Sequence, residues 1–162
     1  MKTQLEFYCA GSEVMRYHTV HTIQRETVGH HSHGVALLCY LLKPTCSAEL
    51  LRAALLHDLS EHLTGDIPSP AKRLYGIGEQ VSHIEEELLE GSGLSFPVLS
   101  AVEKRVLKLA DIAQGALFCA REMQLGNTKL RLVFDRYMSY ANEFMLVGRE
   151  RDLFQAIQEM TV

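Results

Sequence analysis

The stretch 55-LLHDLSEHLTGDIPSP-70 sets His57, Asp58, Glu61, His62 and Asp66 directly behind an apolar run. Its front belongs to 48-AELLRAALLHDLSEHL-63, whose leucines recur three and four apart, the spacing of a buried helix face. Ser47 can cap this helix, Gly65 breaks it, and Pro68 and Pro70 force a stiff, extended connection. Upstream, an apolar helix starts at His31, continues through HGVALLCYLL and is closed by Pro44; the polar, aperiodic 16-RYHTVHTIQRETVGHHS-32 before it reads as a loop. A short helix over about 3–10 ends near Gly11. Downstream, short helices are expected at about 71–75 and 79–90, then a loop, GSGLSF, with Ser95 as cap and Pro97 in the first turn of a long helix that stops at Gly126. The next, about 128–147, places Leu130, Val133, Phe134, Tyr137, Tyr140, Ala141 and Phe144 at core spacing, and 149–159 adds a last turn or two. No segment alternates with period two. The pattern predicts an all-α helical bundle, a single domain over 1–162.

The bulk composition agrees. A chain of 162 residues with 47% hydrophobic and 22% charged residues can bury a core. A net charge of −4 argues against a nucleic-acid or anionic-membrane surface as its main business. No run approaches the roughly 18 apolar residues of a membrane span, and the N-terminus lacks a signal-type apolar region. Cys9, Cys39, Cys46 and Cys119 show no paired spacing and read as thiols of a reducing cytoplasm.

Two features are open to a metal reading, the first being either a helix end that happens to be polar or half of a metal site. His57, Asp58 and Glu61 lean toward one region of a helix, and neutral imidazole with carboxylate suits a borderline divalent ion. In 106-VLKLADIAQGAL-117, Asp111 has apolar neighbours on nearly every side. It is either one polar residue turned to solvent or a buried carboxylate, which a cation would compensate. His31 could reach the end of the following helix.

The order His31, His57-Asp58, Asp111 resembles that of the HD-domain metal-dependent phosphohydrolases, and HDLSEHLTGDIPSPAK sharpens the likeness. It is similar to a stretch shared by the bacterial 5′-deoxynucleotidases of that superfamily and their relatives, the small phage dATP triphosphohydrolases. Arg16-Tyr17 matches an Arg-aromatic pair, with Tyr where the deoxynucleotidases carry Trp. The resemblance implies an HD-domain bundle with His31, His57, Asp58 and Asp111 as metal ligands. Such a set accepts Zn, Co, Mn or Ni, and the metal supplies the attacking water, so no protein nucleophile is required. It further implies Glu61 and Asp66 as the acid/base pair, with room near Glu61 for additional Mg or Co. Arg16, Lys72 and Lys108 would serve phosphates, Tyr17 sugar or base, and Pro70 a wall on the base side.

The short chain, the RYHT context and Lys108 favour the phage type: dATP to deoxyadenosine plus triphosphate, with dADP and dAMP as further substrates, in a phage using 2-aminoadenine. The alternative is a deoxynucleoside 5′-monophosphatase. A degenerate binding module would be expected to lack ligands or the glutamate, and a (p)ppGpp or cyclic-nucleotide hydrolase would not explain TGDIPSP. The implied partners are a small deoxynucleotide and copies of the chain, as dimer or hexamer, with the aromatic-bearing last helix as interface. The implied location is the cytoplasm, that of the host if the chain is phage-encoded.

Overall fold

A computed structural model describes residues 1–161. The helices are α1 (Lys2–Ser12), α2 (Val28–Leu42), α3 (Ala48–Leu56), α4 (Glu61–Thr64), α5 (Ser69–Leu74), α6 (Gly78–Gly91), α7 (Ala101–Gln124), α8 (Arg131–Asn142) and α9 (Arg149–Glu159), with a 3₁₀ turn at Thr128–Leu130. The described residues contain no strand, only a lone bridge between Met15 and Thr27. The all-α expectation holds.

The core forms around α7, which packs against α2, α8, α9 and α3. Leu109, Ala110, Ile112, Ala113, Ala116 and Cys119 of α7 are buried against Val35 and Cys39 of α2, Leu50 and Ala53 of α3, and Phe134 of α8. Two glycine contacts set how closely these helices approach. A Cβ on Gly34 would stand 2.9 Å from Gln114 Cγ, and one on Gly115 would stand 2.4 Å from Tyr137 Cζ. α2 and α8 therefore lean on α7 at the level where the ionisable residues lie.

Several boundaries differ from the sequence reading, each for a local reason. α2 begins at Val28, because the Thr27 hydroxyl accepts from the His30 N–H. His30 thus sits in a helix rather than a loop. α7 begins at Ala101 with Ser100, not Ser95, as its cap: Ser100 and Glu103 form a reciprocal capping box. The segment read as one helix over 48–63 leaves helical geometry after Leu56 and resumes as α4, with a turn holding His57 to Ser60. α8 ends at Asn142, short of the expected 147. Its aromatic residues face inward: Phe134 is buried, and Tyr137 and Tyr140 are half-buried. The exposed apolar side chains of the bundle include Leu37, Tyr40 and Leu41 on α2.

The polar loop 16–27 is held by defined bonds. Arg16 N–H donates to the Glu26 carbonyl (3.0 Å) and Val28 N–H to that of Val14 (2.9 Å). Farther along, the buried Glu122 carboxylate of α7 accepts from Ile23 N–H and Gln24 N–H, both at 2.7 Å, and from Asn127 Nδ2 at 2.8 Å. Burial pushes the Glu122 carboxyl up, but these donors outweigh it and hold it below the usual range.

Candidate active site

His31 from the first turns of α2 and His57 and Asp58 from the turn after α3 form one tight cluster, which Asp111 from the middle of α7 joins through His31. His31 Nε2 lies 3.2 Å from His57 Nε2, 3.4 Å from Asp58 Oδ2 and 3.3 Å from Asp111 Oδ1; His57 Nε2 lies 3.4 Å from Asp58 Oδ2.

The proton positions follow from the outer partners. His57 Nδ1 is 2.9 Å from the Ala54 carbonyl, which only accepts, so the ring proton sits on Nδ1. His31 Nδ1 donates to Gln114 Oε1, because the Gln114 amide nitrogen donates to Glu26 Oε1 at 2.6 Å. Both Nε2 atoms therefore turn bare lone pairs toward each other and toward two carboxylate oxygens. Two unprotonated imidazole nitrogens thus lie against two carboxylate oxygens. Arg16 Nη1 donates to Asp58 Oδ2 at 2.8 Å, but among the described residues no donor reaches either Nε2, an electron-rich set that a divalent cation would suit. Burial lowers the His57 pKa, which keeps the ring neutral and ligand-competent. Burial pushes Asp58 and Asp111 up, yet both lie below the carboxylate range. For Asp58, His57, His31 and Arg16 outweigh burial; for Asp111, Lys108 and His31 do.

Above this point opens a cavity of about 320 Å³, lined by Arg16, Tyr17, Asp58, Glu61, Asp66, Pro70, Lys72, Lys108 and Asp111. The residues expected in the site line this cavity except His31 and His57, whose Nε2 atoms each lie 3.4 Å from Oδ2 of the lining Asp58. Their surroundings add detail. Arg16, 9% exposed, donates from Nη1 to Asp58 Oδ2 at 2.8 Å and sets Nε 3.4 Å from Glu26 Oε2. Tyr17 has φ 55°, stacks on Phe118 at 4.6 Å and places its hydroxyl 3.2 Å from that of Tyr137. Lys108 Nζ is 2.9 Å from Asp111 Oδ2, and Lys72 Nζ is 3.4 Å from Glu85 Oε1. Both lysines line the cavity already paired.

Glu61 is 3% exposed, and its Oε2 has no hydrogen-bond partner among the described residues. Burial, then repulsion by Asp58 and Asp66, pushes its carboxyl up to about 9. It holds a proton at neutral pH. Asp66 lies half-buried on the same wall.

Sequence reasoning missed Glu26, Gln114 and Arg136. Gln114 follows Asp111 by one helical turn, a signal that was available. Glu26 lies in an aperiodic loop and gave none. Arg136, exposed on α8, lines the cavity with Tyr137. Of the other histidines, His62 is half-buried with its ring edge-on to Phe7 at 4.6 Å, away from the cavity.

Comparison with known proteins gives concordant matches. The family model for the HD domain matches residues 13–111. The 5′-deoxynucleotidase YfbR of Salmonella typhi is 26% identical over 168 residues, spanning 89% of this chain and 83% of that protein. The 5′-deoxynucleotidase of Citrobacter koseri is 28% identical over 174 residues, with the same coverage of 89% and 83%. Among solved structures, the cyanophage S-2L HD phosphohydrolase (DatZ), bound to dA and one catalytic Zn2+ ion, superposes with a TM-score of 0.67 at 19% identity. That superposition covers 99% of this chain and 95% of that one. The PH0347 protein of Pyrococcus horikoshii gives 0.66 at 18% identity, covering 99% and 98%.

Proposed function

The chain belongs to the HD-domain family, and on that premise we propose that it hydrolyses the phosphoester bond at the C5′ oxygen of 2′-deoxynucleotides, with His31, His57, Asp58 and Asp111 holding a divalent cation. The observation that carries this reading is the approach of two unprotonated imidazole nitrogens to two carboxylate oxygens on the floor of a cavity that also bears cations. The two-imidazole, two-carboxylate set suits Zn, Co, Mn or Ni. When bound, such an ion supplies Lewis-acid activation of the attacking water and of a phosphoryl oxygen.

The chain's own groups do the rest. Arg16 has one terminal nitrogen on Asp58 and lines the cavity, where a guanidinium suits phosphate oxygens. Glu61, protonated at neutral pH, acts as general acid and delivers its proton to the leaving O5′. Asp66 repels negative charge on Glu61 and so helps to keep that proton in place; with Glu61 deprotonated, the two carboxylates would suit a further Mg or Co ion. Tyr17, fixed by Phe118 and Tyr137, and Pro70 wall the sugar and base side.

The favoured substrate is dATP, giving deoxyadenosine and triphosphate, with dADP and dAMP cleaved at the same bond. Support comes from the cations around the cavity: Lys72, Arg73, Lys108 and Arg136 line it in addition to Arg16. The setting this implies is removal of dATP in a phage that uses 2-aminoadenine. Hydrolysis of deoxynucleoside 5′-monophosphates is the second reading. It is favoured by the carboxylate partners that Lys72 and Lys108 already have and by the curated 5′-deoxynucleotidases. The reading also takes 1–162 as one domain and the chain as a homo-oligomer, for which the exposed Leu37, Tyr40 and Leu41 of α2 offer an apolar face.

Product chromatography tests the function. Zinc-loaded protein is incubated with dATP, dAMP, dGTP, 2-amino-dATP and ATP. Deoxyadenosine with intact triphosphate from dATP, 2-amino-dATP being spared, is the expected result. Turnover of monophosphates alone selects the second reading, and turnover of none refutes both.

A further inference from the structure

Glu26 lies outside the cavity lining and outside the set of metal-pocket ligands. We propose that it is a positioning residue: it fixes the direction of a hydrogen-bond chain and thereby selects the tautomer of His31 that can bind metal. The proposal rests on the metal-pocket reading above.

The chain runs Glu26, Gln114, His31. Glu26 is 5% exposed; its Oε1 accepts from Gln114 Nε2 at 2.6 Å, and its Oε2 faces Arg16 Nε at 3.4 Å. A carboxylate ion-paired to Arg16 can only accept. The Gln114 amide must therefore turn its nitrogen to Glu26 and its oxygen to His31. That oxygen accepts only from Nδ1–H. A neutral imidazole has one such proton, so Nε2 is left bare and faces His57, Asp58 and Asp111. Each step forces the next.

Neither later member could fix this alone. An amide rotated by half a turn exchanges donor for acceptor at the same shape, and histidine accepts either tautomer. Packing does not decide between them, because the two ends of an amide are nearly the same size and shape. Charge at Glu26 decides. With an amide at position 26 a chain of opposite direction becomes available. The new oxygen faces Arg16 Nε, the new nitrogen donates to Gln114 Oε1, and the Gln114 nitrogen donates to His31 Nδ1. The ring proton then sits on Nε2, pointing into the pocket, and a ligand is lost without any loss of packing. Because Arg16 also donates to Asp58 at 2.8 Å, the same chain ends on a second member of the pocket.

The test compares the full-length wild type, Glu26→Gln and the double variant Glu26→Gln/Gln114→Glu. Zn2+ affinity is read by competition with a chromophoric chelator, and the His31 tautomer by ¹⁵N NMR of metal-free protein. Glu26→Gln should weaken Zn2+ binding about 10–100-fold, and the double variant, which restores an obligate acceptor beside His31, should return to within about threefold of wild type. The His31 proton should sit on Nδ1 in wild type and double variant, and on Nε2 in Glu26→Gln. Should Glu26→Gln fail to fold, Gln114→Met, which removes both the acceptor for His31 and the donor to Glu26 and so breaks the chain at its middle, should show the same weakening. Equal affinity and the same tautomer in all variants overturn the proposal, as does a double variant no better than the single one. His57→Ala separates the two levels. If wild type binds no Zn2+, or His57→Ala binds as wild type does, the pocket reading fails. If His57→Ala loses binding while Glu26→Gln keeps it, only the role of Glu26 fails.

Discussion

Replacing Gly115 by Ala tests whether α8 leans on α7 as closely as described. By helix propensity alone, Gly to Ala inside a helix stabilises by about 1 kcal/mol. The structure demands the opposite sign. The added Cβ would lie 2.4 Å from Tyr137 Cζ, 2.7 Å from Cε1 and 2.8 Å from the hydroxyl oxygen, against 3.4–4 Å for ordinary contact. Tyr137 must retreat by about 1 Å or α8 must tilt, and overpacking of this kind costs about 1–3 kcal/mol. The ring has little freedom on its inner side, where its hydroxyl meets Tyr17, itself stacked on Phe118. It moves toward the cavity it lines. For a chain of this size the melting temperature should fall by about 2–12 °C, and KM should rise more than kcat falls. Thermal melts followed by circular dichroism, with steady-state kinetics, read both. In the background of Tyr137→Leu the clash is gone, so the double variant should be more stable than the sum of the single costs by at least about 0.5 kcal/mol. A Gly115→Ala protein that melts at or above the wild-type temperature would refute the close approach.

Two further outcomes follow from the site. Glu61→Gln removes a carboxyl whose folded pKa is raised from 4.5 to about 9. The raised group stabilises the fold fully below its unfolded value and loses that contribution as pH rises toward the folded one, at about 1.4 kcal/mol per pH unit. In metal-free protein the variant should therefore gain on wild type by about 2–3 kcal/mol between about pH 6 and pH 8, while its activity falls about 10²–10⁴-fold. Urea melts that run parallel across that range would contradict the buried, protonated Glu61. Stripping metal with a chelator should lower the melting temperature, and Zn2+ at about 100 times its Kd should restore about 2.7 kcal/mol, or about 5–10 °C. His31→Ala should abolish that increment, as differential scanning calorimetry would report.

What could be read of the site in this sequence came from the resemblance carried by HDLSEHLTGDIPSPAK and, beside it, from places where a residue contradicts its surroundings. Asp111 among apolar neighbours and His57-Asp58 behind a leucine run are such contradictions, and all three lie at the floor of the cavity. Ser100 was legible too, through Glu103 three residues on, but Ser95 beside Pro97 offered a competing start for the helix. Glu26 and Gln114 contradict nothing locally. A glutamate in a polar loop and a glutamine on a helix gain meaning only when folding sets them 2.6 Å apart. The lysines show the reverse: the resemblance marked Lys72 and Lys108 as phosphate ligands, and only the fold reveals that Glu85 and Asp111 hold them.

One helix carries Asp111, Gln114, Gly115 and Glu122, which respectively meet the other pocket residues, the Glu26 chain, α8 and the loop at Ile23 and Gln24. Those four duties share one angular phase. A single inserted residue between Asp111 and Glu122 would turn everything beyond it by about 100°, parting the pocket from the clasp on the loop that bears Arg16. The helix thus acts as a ruler whose length is fixed at both ends. Changes in chain length must be absorbed elsewhere, in the turns around Gly76 and Gly93, where a glycine at positive φ already marks a bend and an added Cβ meets nothing closer than 3.5 Å.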